Sequence, residues 1–318
     1  MTHLALGDGR EFDRIRAIAA ELGSDASRLG DDCAIITGGE GSVVLSTDTS
    51  VEDVHFRREW LSPAEIGWRA AAAALSDLAA AGAECIGLLA AITVPRESAE
   101  DELVGLMRGV GDAVRAADGR VLGGDLSAGP VWSLTITVVG RALRPVSRGG
   151  ARAGDTLWVT GHLGGARAAL RAWASGAVPP DATRHAFAHP YPRLPAGRWL
   201  AAHGATAMLD LSDGLAADAA HLAAASALRA EIDLAAIPIA PGTTTMPGEH
   251  PAVFAARGGE DYELLAAMPS GFPDSEAAAF AQVNSLPLTC IGRLTSGRGV
   301  ALLLDGAEVS APGHDHFA

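Results

Sequence analysis

The chain has 318 residues, of which 48% are hydrophobic and 19% are charged, and its formal net charge is −14. This length and composition predict a globular protein of two domains, each large enough to bury its own core. The acidic balance argues against a nucleic-acid partner and against a membrane partner, because both need clustered cations.

Three features of the sequence indicate the cellular compartment of the protein. The N-terminal residues are too few and too polar for a signal peptide, and no apolar run reaches the length of a membrane span. The three cysteines, Cys33, Cys85 and Cys290, form no Cys-x-x-Cys pair and are expected to be small buried hydrophobic residues. We therefore expect a cytoplasmic protein.

The first forty residues contain one helix and one acidic pair. Apolar residues recur at steps of three and four over residues 10–22, which predicts an amphipathic helix. Asp31 and Asp32 then lie between a glycine and an apolar strand. Because neighbouring side chains on an extended chain point to opposite sides, we expect only one of the two to face a given ligand.

Residues 45–56 change from a buried-strand pattern to a group of oxygen ligands. Ser46, Thr47 and Asp48 place hydroxyls, carbonyls and a carboxylate directly after the strand, and hard cations such as Mg²⁺ prefer these ligands. His55 ends the stretch as a donor to an anion. Taken alone, the pattern is more typical of a strand that runs into a polar turn.

A long helix is predicted next. Ser62-Pro-Ala-Glu65 is a capping box with proline at the first helical position, and the Ala-rich helix is expected to end near Ala81. Asp77 lies inside this helix among small and apolar residues. It belongs either to an exposed stripe or to a metal site, since a carboxylate in a close-packed face needs a partner.

Two strands and a helix complete the predicted N-terminal half. Residues 85–94 and 131–139 have strand patterns, and the second alternates apolar with polar residues, which indicates one exposed face. Between them, Gly123-Gly-Asp125 combines a backbone that a ligand can approach closely with a carboxylate. We place the domain boundary after residue 147, which gives domains of residues 1–147 and 148–318.

The C-terminal half contains two further acidic loops. An apolar strand ends in Asp210, Ser212 and Asp213 before a helix, where Asp213 is either a helix cap or a metal ligand. Gly258-Gly259 precedes Glu260 and Asp261 beside another strand. The glycines between residues 161 and 167 do not form G-x-G-x-x-G, so we interpret them as a packing turn.

The acidic loops together indicate bound cations. Two carboxylates about 4 Å apart repel by roughly 4 kcal/mol at an effective dielectric of about 20, so convergence of several loops requires positive charge. Oxygen ligands without a His/Cys cluster favour Mg²⁺ or Mn²⁺ over zinc. All 24 basic residues are arginines, which excludes a P-loop, a protein-kinase fold and Schiff-base chemistry, since each needs a lysine. Metal ions and glycine-rich loops then point to ATP and phosphoryl transfer.

The order and spacing of these motifs resemble the thiamine-monophosphate kinase family over nearly the whole chain. The matching motifs are Leu29-Gly-Asp-Asp-Cys-Ala34, Ser46-Thr-Asp-Thr49 with His55-Phe56, Leu75-Ser-Asp-Leu-Ala-Ala80, Gly123-Gly-Asp125, Asp210-Leu-Ser-Asp-Gly-Leu215 and Gly258-Gly-Glu-Asp-Tyr-Glu-Leu264. The resemblance implies an α+β fold with the two-domain architecture of aminoimidazole ribonucleotide synthetase. It also implies an N-terminal α/β domain whose sheet pairs in a homodimer, and a C-terminal α/β domain that completes the site.

The family resemblance also implies roles for individual residues. Several Mg²⁺ ions would be bound by Asp32, Ser46, Thr47, Asp48, Asp77, Asp125, Asp210 and Asp213. ATP would contact Gly124, Asp125, Arg148 and Ser212, and thiamine monophosphate would contact His55, Glu260 and His314. Two positions depart from the family pattern: His314 replaces an aromatic residue before Asp315-His-Phe317, and Leu126 replaces a threonine after Gly-Gly-Asp.

The implied reaction is direct in-line transfer of the γ-phosphate of ATP onto thiamine monophosphate. It needs no catalytic base, since the second pKa of a phosphate monoester is about 6 and the acceptor is mostly a dianion at neutral pH. A selenophosphate synthetase should have a cysteine before Cys33, and a hydrogenase maturation factor should end in cysteine; neither is present. An aminoimidazole ribonucleotide synthetase stays open, as does a calcium-binding structural protein, although no D-x-[DN]-x-[DN]-G loop occurs.

Overall fold

The computed structural model describes residues 10–22, 31–38, 40–245 and 248–309. Its helices are α1 (Arg10–Leu22), α2 (Pro63–Ala80), α3 (Glu100–Ala116), α4 (Gly165–Ala174), α5 (Asp181–Ala188), α6 (Leu194–Ala202), α7 (Leu215–Ala225), α8 (Pro251–Ala256) and α9 (Asp274–Asn284). Its strands are β1 (Ala34–Thr37), β2 (Ser42–Val51), β3 (Glu84–Val94), β4 (Val121–Ala128), β5 (Ser133–Ala142), β6 (Thr156–Thr160), β7 (Ala207–Asp210), β8 (Leu228–Asp233), β9 (Leu264–Met268), β10 (Leu288–Ser296), β11 (Gly299–Leu304) and β12 (Ala307–Val309).

The first sheet has five strands in the order β1-β2-β5-β3-β4. Leu134, Ile136 and Val138 of β5 are buried under α2, as the alternation of that strand predicts. The opposite face is exposed, and there Thr47 and Thr49 of β2 pair across the sheet with threonines of β5. The sheet is therefore covered on one side by helices and open on the other.

Helix α2 is the central element of the molecule. Its N-terminus has the predicted capping box, in which the backbone N–H of Ser62 donates to the Glu65 carboxylate at 2.8 Å. Alanine and glycine let neighbouring helices approach closely: a Cβ on Gly109 of α3 would lie 1.8 Å from the Ala64 carbonyl oxygen. The helix also packs against α5, α6 and β7, so it contacts elements of both halves of the chain.

The second sheet has seven strands in the order β12-β11-β8-β10-β6-β9-β7 and is covered on both faces. Leu157 and Val159 of β6 point into a core with α7 and α8. Trp158, between them, points into a second core that continues to α2 and the first sheet. The opposite directions follow from the two-residue period of a strand.

The mixed α+β class with two sheets is the predicted fold, and the dimeric pairing of the first sheet stays a prediction. The proposed boundary after residue 147 falls between β5 and β6, where one sheet ends and the other begins. The independence of two domains on either side of it also stays a prediction. Among the described helices, none is long and apolar enough to cross a membrane.

Candidate active site

A cleft of about 610 Å³ lies where elements of the two sheets meet, and its walls come from distant parts of the chain. The first wall contains the residues before β1, the second half of β2 and the middle of α2. The second contains the residues after β7 and those before β9. The lining residues are Asp31, Asp32, Ser46, Thr47, Asp48, Thr49, Ser50, Val54, His55, Ala73, Asp77, Arg148, Arg167, Leu170, Asp210, Ser212, Asp213, Arg257, Gly259, Glu260 and Tyr262.

Three predicted metal ligands converge at one end of this cleft. A carboxylate oxygen from each of Asp32, Asp77 and Asp210 lies within 4.8 Å of the other two. Burial, followed by the charge of Asp32, raises the pKa of Asp210 to about 8. Burial and the charges of neighbouring aspartates also raise the pKa of Asp77. This crowded set of carboxylates fits a hard divalent cation such as Mg²⁺, which would relieve their repulsion.

Strand β2 adds two further oxygen donors to the same end. The Ser46 hydroxyl donates a hydrogen bond to the Asp77 carboxylate. Burial, then the charges of Glu260 and Asp32, raises the pKa of Asp48 to about 6. The Thr47 hydroxyl instead lies 2.9 Å from that of Thr137 on the exposed face of the sheet, which leaves the Thr47 side chain directed away from the carboxylates.

Arg148, a predicted ATP contact, lies against the adjacent acidic pair. Its guanidinium forms an ion pair with Asp32, and its backbone N–H donates to Asp31 Oδ1 at 3.1 Å. Both aspartates line the cleft, but only Asp32 belongs to the close group of three carboxylates. That only one of the two faces a given ligand stays a prediction.

The turn after β7 is held by a residue that was not selected from the sequence. Asp218 of α7 is buried, and its carboxylate accepts the backbone N–H groups of Asp213 at 3.2 Å and Gly214 at 2.9 Å. An oxygen of Asp213, an oxygen of Asp218 and a ring nitrogen of His221 lie within 4.8 Å of one another. Asp218 thus holds the turn that precedes α7, and Asp213 lines the cleft.

The two glycine-containing loops pack against each other. The backbone N–H of Glu260 donates to the Ser212 carbonyl at 2.7 Å, and that of Tyr262 donates to the Leu211 carbonyl at 2.9 Å. A Cβ on Gly259 would lie 2.5 Å from the Ser212 carbonyl oxygen. The glycine is therefore required by the contact between the loops, rather than by a ligand alone.

Glu260 is oriented by a buried arginine from the opposite wall. Its carboxylate forms an ion pair with Arg69 of α2 and accepts the Tyr262 hydroxyl at 2.7 Å. Arg69 also donates to the Phe187 carbonyl at 2.7 Å, and its guanidinium carbon lies 3.7 Å from the Phe187 ring centroid. An arginine at a buried position of an Ala-rich helix was the sequence feature that could have indicated this role.

The remaining predicted residues have different positions. His55 lines the cleft, and its Nδ1 accepts the Val51 backbone N–H at 3.1 Å, so Nε2 carries the proton of the neutral ring. Gly124 and Asp125 lie on β4, an exposed edge strand, and are absent from the cleft lining in the described part of the chain. His314 lies outside the described residues.

Comparison with known proteins identifies the family. Residues 30–142 match the family model "AIR synthase related protein, N-terminal domain". The thiamine-monophosphate kinase of Escherichia coli K12 is 35% identical over 97% of this chain and 96% of its own length. The chain belongs to the thiamine-monophosphate kinase family. The resemblance drawn from the sequence motifs is thereby confirmed.

Other members of the thiamine-monophosphate kinase family match equally well. The Halobacterium salinarum protein is 35% identical over 95% of this chain and 99% of its own length. A solved structure described as AaThiL complexed with AMPPCP and TMP is 30% identical, covers 98% of both chains and superposes with a TM-score of 0.85. The predicted fold is confirmed by this match, and the family is one of ATP-using kinases.

Proposed function

We propose that this protein transfers the γ-phosphate of ATP directly to thiamine monophosphate and forms thiamine diphosphate. The observation that carries the proposal is the group of Asp32, Asp77 and Asp210 carboxylates in a cleft of about 610 Å³. A site with this charge suits metal-bound phosphates, and the chain belongs to a family of thiamine-monophosphate kinases. The related structure with AMPPCP and TMP shows both ligand types bound to a relative.

The acidic end of the cleft is proposed to hold several Mg²⁺ ions. Asp32, Asp48, Asp77 and Asp210 supply carboxylates, with Asp213 at the neighbouring turn. Bound Mg²⁺ would neutralise the charges of the two phosphate-bearing substrates. No side chain needs to remove a proton from the acceptor, because a phosphate monoester is mostly a dianion at neutral pH.

The end of the cleft beside Glu260 is proposed to hold the thiamine part of the acceptor. Glu260 offers a carboxylate to the positively charged thiazolium ring, and the imidazole of His55 lines the same cleft. Val54, Leu170 and Tyr262 give this end apolar surface. Arg148 and Ser212 stay the proposed ATP contacts of this chain.

A homodimer is proposed to complete the site. Thr47 and Thr49 line the cleft and also lie on the exposed face of the first sheet, so the cleft reaches the open face. The same sheet ends in β4, which is exposed at all eight positions and carries Gly124 and Asp125. We propose that a second copy covers this face and that Asp125 acts on the partner's cleft.

The direct test is a product assay with purified protein, ATP, Mg²⁺ and thiamine monophosphate. We expect thiamine diphosphate to form, free thiamine to be a poor acceptor, and D77N to lose activity by at least about 100-fold, because the loss of a metal ligand removes charge stabilisation in the transition state. Absence of thiamine diphosphate with the wild-type protein would disprove the proposed function. Transfer through a phosphoenzyme, detected as labelled protein, would disprove the direct route.

A further inference from the structure

The cleft is also lined by two arginines with no assigned role. Arg167 lies on the first turns of α4, and Arg257 follows α8. Both line the cleft, and Arg167 Nη1 donates to the Arg257 carbonyl oxygen at 2.5 Å. This hydrogen bond joins α4 to the residue that follows α8, so the two guanidinium groups face the same part of the cleft.

These two cations lack acidic partners in the described part of the chain. No carboxylate oxygen of the described residues lies within 4 Å of either guanidinium. The nearby Glu249 is already paired with Arg171 at 2.6 Å. Arg167 and Arg171 also share the Phe254 ring, at 4.8 and 4.2 Å from its centroid.

The positive charge of these two guanidinium groups is not neutralised by a neighbouring carboxylate of the described residues. Burial first, and the charge of Arg257 second, lower the pKa of Arg167. A protonated guanidinium in this position is stabilised when an anion enters the cleft. Guanidinium groups bind phosphate through paired N–H donors, and this geometry suits two arginines on one phosphate.

We propose that Arg167 and Arg257 form an anion site that binds the phosphate of the acceptor substrate. The inference rests on the proposed function. Arg257 directly precedes Gly258, Gly259 and Glu260, so the site places positive charge beside the carboxylate offered to the thiazolium ring. An acceptor that carries both a ring cation and a phosphate matches this pair of opposite charges.

The experiment compares binding of thiamine monophosphate and free thiamine by calorimetry, with Mg²⁺ and a non-hydrolysable ATP analogue present. Wild type should prefer the monophosphate. R167M and R257M should each weaken monophosphate binding by about tenfold, the effect of losing one or two charge-assisted hydrogen bonds. The double variant should bind the two ligands about equally. Unchanged thiamine binding would show that the variants are folded.

The matched control is R171M. Arg171 lies on the same helix and the same Phe254 ring but is paired with Glu249 and does not line the cleft. Its replacement should leave the preference for the monophosphate unchanged. Equal losses of thiamine and monophosphate binding in R167M and R257M would overturn the proposal. So would a loss confined to the ATP analogue, which would assign the arginines to the nucleotide.

The anion site and the proposed function can fail separately. If wild type binds the monophosphate through the two arginines but forms no thiamine diphosphate, the function is wrong and the anion site stands. If thiamine diphosphate forms and the double variant keeps the wild-type preference, the anion site is wrong and the function stands.

Discussion

Single charged side chains decide how the two walls of the cleft are aligned. Arg69 is the clearest example, because it is buried in the first wall and its ion-pair partner Glu260 belongs to the second. Glu260 has a backbone φ of 71° and Tyr262 a φ of 50°, which are unfavourable for residues with a side chain. The contacts with Arg69 and the Tyr262 hydroxyl help to hold this strained loop in place.

Replacement of Arg69 by methionine should therefore act through Glu260. We expect R69M to lose about 10–100-fold in kcat/KM for thiamine monophosphate, as is typical when a supporting side chain of a site is removed. In an E260Q background, R69M should lower kcat/KM much less, because the carboxylate that Arg69 orients is already absent. Steady-state kinetics of the two single variants and the double variant test this coupling. Additive losses would contradict it.

A control for Arg69 is available in the same helix contact. Arg184 also joins the second half of the chain to α2, through Glu65 at 2.7 Å, but neither residue lines the cleft. R184M should retain the kcat/KM of wild type within about twofold, since surface-accessible ion pairs have modest effects. An equal loss of activity in R184M and R69M would show a general effect on domain contact instead of a specific one on Glu260.

The sequence allowed prediction of the acidic site residues but not of three arginines at or behind the cleft wall. Asp32 precedes β1 and Asp210 ends β7, where local pattern alone predicts exposure to a ligand. Asp48 was expected directly after a strand, but it lies inside β2, because the ladder with β5 continues to Val51. The positions of Arg69, Arg167 and Arg257 depend on which helix faces which loop. That information is tertiary, and no local periodicity contains it.

At the scale of elements, the start of α2 was predicted correctly. Ser62 and Glu65 form the expected capping box, because its hydrogen bonds are local and need only residues three apart. The edge position of β4 was not predictable, since strand order depends on long-range pairing. Gly124 and Asp125 were expected beside the other ligands. They lie instead on β4, at the exposed edge of the first sheet.

The contact between α5 and the start of α2 should depend on pH. Burial acts to raise the pKa of Glu65, but hydrogen bonds from Arg184 and Ser62 outweigh it and lower the pKa to about 2. A lowered folded-state pKa gives stability that is present above the ordinary value of about 4.5 and is lost as the pH falls toward 2. The destabilisation by R184M, about 1 kcal/mol at pH 7, should therefore shrink between pH 4.5 and pH 2.

Urea unfolding of wild type and R184M at pH 7 and at pH 3 measures this difference. His189, whose Nε2 lies 3.6 Å from Glu65, becomes charged in acid and should reduce the difference further. R198M is a suitable control, since Arg198 pairs at 3.4 Å with the largely exposed Glu84. If the loss of unfolding free energy in R184M stays constant or grows in acid, the ion pair between Arg184 and Glu65 is not its cause.

At the scale of the whole molecule, one proposed dimer explains both the exposed face of the first sheet and the position of Asp125. Leu89, Val121, Leu122 and Leu126 are exposed on β3 and β4, beside the predicted nucleotide-binding glycine. An apolar exposed sheet edge favours association with another copy. The proposed dimer thus accounts both for this surface and for a predicted ligand that is remote from the cleft of its own chain.

Mixing of two inactive variants tests whether Asp125 acts on the partner. D125N and D77N should each be inactive as homodimers. After dissociation and reassembly of an equal mixture, half of the dimers are mixed, and each mixed dimer has one intact site if Asp125 acts across the interface. The mixture should then regain about a quarter of wild-type activity. If Asp125 serves its own chain, each site of a mixed dimer has one substitution and the mixture stays inactive.

The assembly of the carboxylate group has a consequence for protein synthesis. Asp32, Asp77 and Asp210 are separated by long stretches of chain, and Asp210 ends a strand of the second sheet. A nascent chain that has completed only the first sheet lacks the third carboxylate, so its early sections do not carry the full repulsion of the finished site. Non-local contacts of this kind carry a loop-closure cost that slows folding. The repulsion of the three crowded carboxylates therefore arises only once β7, an edge strand that pairs with β9, is in place.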